Sequence, residues 1–229
     1  MSVITTSPNP QNPSEKEHTL PLIQFHALFL EDAFQAILHT LIFIRAPTQM
    51  KAQDHICTLL SPLMYSSCNY ATVNESIQTV IQMIKSSLLE HQRRHNPIIN
   101  TNNNNTNNSN NPGLVPYQFD ILVSFFEKKE VNQYFIMSKT EHVPFEHWRI
   151  PISMIEYPLS PSLSTTNNYQ GGGLGSATDF QQQYQNAYNC VSRSIMALIE
   201  VGNTHIDHVP LTNYEYEMKI VTPDGKKKK

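Results

Sequence analysis

Apolar and polar residues repeat along this chain with two different periods, and the switches between them mark its elements. Leu22–Phe29 (LIQFHALF) is apolar and rich in β-formers, which predicts a first strand. Leu30–Arg45 then takes helical spacing. Ala33, Phe34, Ile37, Leu38, Leu41 and Ile42 fall on one stripe, Asp32, Gln35 and His39 are expected to face away, and Pro47 closes the helix. Cys57–Tyr70 is ambiguous, with short strands its nearest reading. Thr72 and Glu75 fit a capping box opening a second helix, along which Ile77, Val80, Ile81, Ile84 and Leu88 line one face. Tyr117–Glu127 and Trp148–Ile155 read as strands, the latter on an edge or at a bulge because Pro151 has no amide hydrogen. Gln181–Val201 predicts a third helix that buries Tyr184, Ala187, Tyr188, Val191, Ile195, Leu198 and Ile199. Tyr214–Val221 alternates, with Tyr214, Tyr216, Met218 and Ile220 inward. This order predicts an α+β domain whose three helices pack on one face of a mainly antiparallel sheet.

Two stretches break the pattern. Nine of the twelve residues Asn100–Asn111 are asparagine, and Pro158–Thr178 holds four of the seven glycines. The first offers almost no apolar surface to offset the entropy of ordering, and both 96–113 and 158–178 read as low-complexity loop insertions. Residues 1–17 read as a disordered N-terminal tail and 223–229 as a lysine-rich tail, leaving a single domain over 18–222. A net charge of −3 gives no basic surplus for coating nucleic acid. Cys57, Cys68 and Cys190 are too few for a disulfide scaffold and match no zinc-knuckle spacing. No basic-then-apolar leader opens the chain, and the run Leu41–Ile44 is far shorter than the roughly 18 residues of a membrane span, so a cytoplasmic protein without an integral membrane segment is expected.

Signatures of chemistry are sparse. Gly171–Gly175 lacks the following Lys-Ser/Thr and the preceding strand of a phosphate loop, and no Gly-x-Ser-x-Gly elbow occurs. His91 and His95 flank two arginines, His205 and His208 sit in a short connection, and no His-Glu-x-x-His is present. They read as exposed helix-end and loop histidines, and His39 as a half-buried helix residue. No catalytic residue, metal ligand or cofactor site is assigned. A divergent small hydrolase using His39, His205 and His208 is the remaining enzymatic reading.

The informative segment is Val131–Trp148, read as a connection between strands. It carries Tyr134, Phe135, Ile136 and Met137 in succession, a run that is costly to leave in water. Either it folds back into the domain's own core, with Met137 as a gap filler, or it presents anchors to a partner.

Val143-Pro144-Phe145-Glu146-His147-Trp148, running into an apolar strand, resembles the Pro-(Phe/Trp)-Glu-x-Trp signature of HORMA domains, and Ala36–Ile42 (AILHTLI) is similar to the first helix of an autophagy member of that family. The resemblance covers roughly 25–222 without the two insertions. It implies a non-catalytic adaptor that heterodimerises with and stabilises the HORMA domain of autophagy-related protein 13. It further implies a place in the autophagy-initiation kinase complex and recruitment to the phagophore assembly site. Animal members recruit downstream factors through an exposed Trp-Pro-Phe loop, whose place falls here to Gln133–Ile136 without tryptophan or proline. The resemblance therefore makes Tyr134 and Phe135 the main partner-binding anchors, with Ile136 and Met137 weaker. Pro144, Phe145, Glu146 and Trp148 are its structural motif, rings inward and Glu146 accepting from backbone amides. Only eight residues follow Val221, too few for the mobile belt with which checkpoint or repair relatives trap peptides, so that role is the alternative.

Overall fold

The computed structural model describes residues 5–9, 12–45, 51–68, 70–95, 116–133, 137–155, 177–210, 214–222 and 227–228. In chain order these form β1 (Thr5–Asn9), β2 (Asn12–Thr19), β3 (Ile23–His26), a 3-10 turn (Ala27–Phe29) and α1 (Leu30–Ile44). Then come β4 (Ala52–Ile56), β5 (Met64–Cys68), α2 (Ala71–His95), β6 (Tyr117–Gln133), β7 (Met137–Ile155), α3 (Ala177–Thr204), β8 (Tyr214–Val221) and β9 (Lys227–Lys228). The main sheet runs β1-β2-β7-β6-β8-β9, with β3 also on β7, and β4 pairs with β5 alone. Pairing is antiparallel except where β2 and β3 lie parallel to β7.

Alternation along β6 sets the layers. Tyr117, Phe119, Ile121, Val123 and Phe125 are buried, and their partners Met154, Ile152, Ile150 and Trp148 on β7 are buried on the same face. Phe34 of α1 meets Phe119, and His91 of α2 meets Tyr117. The helices thus cover one face of a mainly antiparallel sheet, the predicted α+β class. In α3, Ala187, Val191, Ile195 and Leu198 are buried, Tyr184 and Tyr188 half-buried, and Ile199 exposed, so the buried stripe is narrower than predicted.

β7 is a central strand and its bulge lies at Pro144–Glu146, so Pro151 sits neither on the edge nor at the bulge expected for it. The Leu20 amide donates to the Arg149 carbonyl, so by the pleat the Pro151 nitrogen also faces the β2/β3 side. There the neighbouring strand is broken between Thr19 and Ile23, and the missing donor costs no ladder bond.

The polar side of α1 is also covered, which corrects its outward assignment. Asp32 Oδ2 accepts from the amides of Leu59 and Leu60 at 2.5 and 2.8 Å, and Gln35 accepts from the Tyr65 hydroxyl at 2.9 Å. The His39 ring stacks on Tyr65, which stacks on His55. Residues 32, 35 and 39 share one helix stripe, and the β4–β5 hairpin is seated on it. A two-stranded sheet is marginal alone and needs such a surface. Thr72 is no N-cap: α2 begins at Ala71, which puts Thr72 inside the first turn.

Three boundaries differ from the expected ones. Within 1–17, assigned to a disordered tail, Thr5–Asn9 forms a strand and a second strand, Asn12–Thr19, begins and runs on into the domain, burying Glu15 and His18. Val131–Trp148 is no connection, because β6 and β7 run as a continuous antiparallel hairpin to the pair Gln133 and Met137. Lys227 and Lys228, in the lysine-rich tail, pair with β8. The insertion at 96–113 lies outside the described residues, as does 158–176. The stretch Ala27–Ile44 is long and apolar enough to cross a membrane by length and composition, which the reading of Leu41–Ile44 alone overlooked, but 67% of it is buried within the fold as a core helix.

Helices α1 and α3 approach so closely at Gly202 that an added Cβ would lie 2.2 Å from Ile44 Cγ2. Alanine at a helical glycine ordinarily stabilises by up to about 1 kcal/mol. Here the sign should reverse: Gly202→Ala is expected to cost about 1–3 kcal/mol by overpacking, read as a lowered thermal midpoint in circular dichroism.

Candidate functional site

The Pro-Phe-Glu-x-Trp segment is a β-bulge. Phe125 pairs with Glu146 but Phe126 with Pro144, which leaves Phe145 as an extra residue on β7. Neighbours on a regular strand face opposite sides, and the extra residue breaks that phase. Phe145 and Glu146 are consequently both buried, at 7% and 0% exposure. Pro144, half-buried at the irregularity, suits a position where ladder bonding is already disturbed. Trp148, fully buried, returns to the core face two residues on.

Glu146 binds side chains, not the backbone amides expected. Arg45, just past the end of α1, donates from Nε to Oε2 and from Nη2 to Oε1, both at 2.8 Å. The same guanidinium donates to the carbonyls of Gly202 (2.9 Å) and His205 (3.1 Å) at the end of α3 and lies 5.6 Å from the Trp148 ring centre. His18 Nε2 from β2 stands 3.0 Å from Oε1, and His208 Nε2 from the segment after α3 stands 3.2 Å away. The His18 ring also packs on Trp148, with centroids 4.4 Å apart. One acid therefore joins β7, β2, the end of α1 and the end of α3. Burial pushes its carboxyl upward, but hydrogen bonds with His18, His208 and Arg45, together with the guanidinium charge, outweigh that and hold it well below the usual carboxylate range.

Sequence reasoning singled out Glu146 and missed its partners. Arg45 looked like a helix terminus, His18 stood next to the assigned tail, and His208 passed for an exposed loop histidine although it is half-buried here. The signal available was chemical: a glutamate among core aromatics requires a cation from elsewhere in the chain. Tyr134, Phe135 and Ile136 lie outside the described residues, as does the side chain of Met137, whose backbone pairs with Gln133.

Two arrangements invite a chemical reading. The ligand atoms of His18, Glu146 and His208 lie within 4.8 Å of one another, a spacing compatible with a metal. Yet Arg45 engages both carboxylate oxygens, so a guanidinium already supplies the positive charge and opposes a second cation. On the open face of the sheet, His147 Nδ1 lies 2.7 Å from Ser124 Oγ while its Nε2 contacts Glu15, the composition of a hydrolase triad. Ser124 is buried and paired with His147 on one side and Glu217 on the other. Its neighbouring amides belong to sheet ladders and are not free to hold an oxyanion. Both clusters work as clamps. The hydrolase reading had named His39, and burial together with nearby His55 pushes that imidazole down to about 4, a value for a neutral stacked ring.

Three helices on one face of a mainly antiparallel sheet, with this bulged motif at its centre, are consistent with a HORMA-like class of domain. The family model for autophagy-related protein 101 matches residues 23–215, and the chain belongs to that family. The match spans both the Ala36–Ile42 stretch and the bulge. No curated protein matches the chain.

Two measurements check the electrostatics. Glu146→Gln should cost about 3–5 kcal/mol in urea unfolding by stranding a buried guanidinium, and Glu146→Gln with Arg45→Met should recover part of that loss. Because the folded acid titrates below the unfolded one, its contribution is present above the ordinary carboxylate range and lost as pH falls beneath it, a slope that Glu146→Gln flattens. For His39 the unfolded ring takes its proton near 6.5 and the folded one near 4. Stability should therefore be full above the first value and decline toward the second, and His39→Phe should abolish that decline.

Proposed function

We propose that this chain is a non-catalytic adaptor that pairs with and stabilises the HORMA domain of autophagy-related protein 13 within the autophagy-initiation kinase complex, acting in the cytoplasm and at the phagophore assembly site. Membership in the autophagy-related protein 101 family carries the reading. Its polar centre supports it: the fully buried Glu146 is engaged by three side chains of the same chain, which suits a scaffold better than a reaction site. Met196 and Ile199, three residues apart on α3, are exposed at 64% and 38%, large apolar groups suited to the core of a protein interface. We assign the heterodimer face to this side of α3, and the recruitment of downstream factors to Tyr134 and Phe135, with Ile136 and Met137 beside them.

Co-expression with the partner's HORMA domain should give a single co-eluting complex in size-exclusion chromatography. Met196→Glu with Ile199→Glu should abolish co-elution while leaving the thermal midpoint within a few degrees, as expected for exposed positions. Tyr134→Ala with Phe135→Ala should keep the complex but lose the additional proteins that co-purify with it from starved cells. Failure of the unaltered chain to co-elute would refute the adaptor assignment.

A further inference from the structure

The chain carries eight methionines, and burial sorts them for one reaction, the transfer of an oxygen atom to the thioether sulfur. Met154 has no exposure, and Met83 and Met218 pack against the core as partly buried side chains. Met1, Met50 and the side chain of Met137 lie outside the described residues. Among the described side chains, an oxidant in water therefore reaches two of these sulfurs freely: Met196 at 64% exposure and Met64 at 55%. The two differ in place. Met64 stands opposite Ile56 on the β4–β5 hairpin, on the face turned away from α1. Met196 stands on α3 one turn from Ile199, with exposed Arg193, Glu200 and Asn203 beside the pair. An apolar centre with a polar rim is the make-up of a protein interface. The thiols compete poorly for the oxidant. Cys57 and Cys68 are buried, and burial pushes them up to about 12 and about 11, so they stay protonated. Cys190 is half-buried.

We propose that Met196 is a reversible oxidation site that switches the α3 face between a pairing and a non-pairing form. The inference rests on the assignment of the heterodimer to this side of α3. Hydrogen peroxide supplies the oxygen. A sulfur lone pair attacks one peroxide oxygen, the O–O bond breaks as the S–O bond forms, and the departing hydroxide takes the proton left on the transferred oxygen. The products are a sulfoxide and water; sulfur loses two electrons and the peroxide gains them. The sulfoxide is polar where the thioether was apolar, and burying it strips water from a strong acceptor without supplying a donor. Pairing is weakened accordingly. The assembled complex covers the sulfur, so the unpaired chain is the form that reacts. Methionine sulfoxide reductases reverse the change, which lets the face return to its pairing form.

The test treats the full chain with hydrogen peroxide before mixing it with the HORMA domain of autophagy-related protein 13. Peptide mass spectrometry should find one added oxygen at Met196 and at Met64 and none at Met154. The Kd of pairing should rise about tenfold or more, the cost of one buried acceptor left without a donor. Sulfoxide reductases with dithiothreitol should restore the original Kd. Dithiothreitol alone should not, which separates the sulfoxide from an oxidised Cys190. Met196→Leu should show the same Kd before and after treatment. When the complex is formed first, Met196 should stay unoxidised while Met64 reacts. An unchanged Kd with Met196 fully oxidised, or a Kd that rises on treatment of Met196→Leu as it does for the natural chain, would overturn the inference and leave the adaptor reading standing. An untreated chain that does not pair at all would overturn both.

Discussion

Removing a carboxylate from water costs several kcal/mol unless a cation and hydrogen-bond donors replace its hydration. Glu146 has no solvent exposure at all, and Arg45 answers it with two parallel hydrogen bonds, the geometry in which guanidinium and carboxylate pair most strongly. The pair is more than local. Arg45 sits where α1 ends, its remaining donors close off carbonyls at the end of α3, and Glu146 stands on a central strand of the sheet. The relative placement of two helices and the sheet is thus tied to one charge pair. Gly202, which permits α1 and α3 to touch, is also the residue whose carbonyl receives Arg45.

The bulge is what brings the acid there. Without the extra residue at Phe145, the phase of β7 would place either the ring or the carboxylate on the open face, and the core would lose Phe145 or the clamp would lose its anion. A short Pro-Phe-Glu-x-Trp string therefore encodes a backbone irregularity. Its residues are spaced for a strand that changes phase once, and the proline marks the place. Such a bulge holds β7 and the elements clamped to Glu146 in one register.

Histidines recur at the joints. His18 and His208 flank the acid, His147 links Ser124 to Glu15, and His39 and His55 sandwich Tyr65 beneath the β4–β5 hairpin. All but His55, which stacks on its own cross-strand neighbour, join segments far apart in the chain, and His18 and His147 join β2 to the sheet. Side-chain contacts of His18 and Glu15 thus hold β2 to the sheet, while aromatic and aliphatic packing secures β6, β7 and the helices.

Local periodicity decided much of this protein. The two helical stripes of α1 and α2, the alternation of β8 and the order of elements are all visible from residue spacing, because burial on one face of an element imposes its own period on the sequence. The aromatic motif at 144–148 was also visible as a string. Tertiary structure alone decided which residues meet it: Arg45 is 101 positions from Glu146 and His18 is farther still, and no local pattern links residues so separated. It likewise decided that Asp32 and His39 lie under a hairpin, that Pro151 faces a gap between strands, and that polar residues 12–19 form a strand at all. Such a segment carries no hydrophobic period to read, and its conformation comes from the edge and the charges that another part of the chain presents to it.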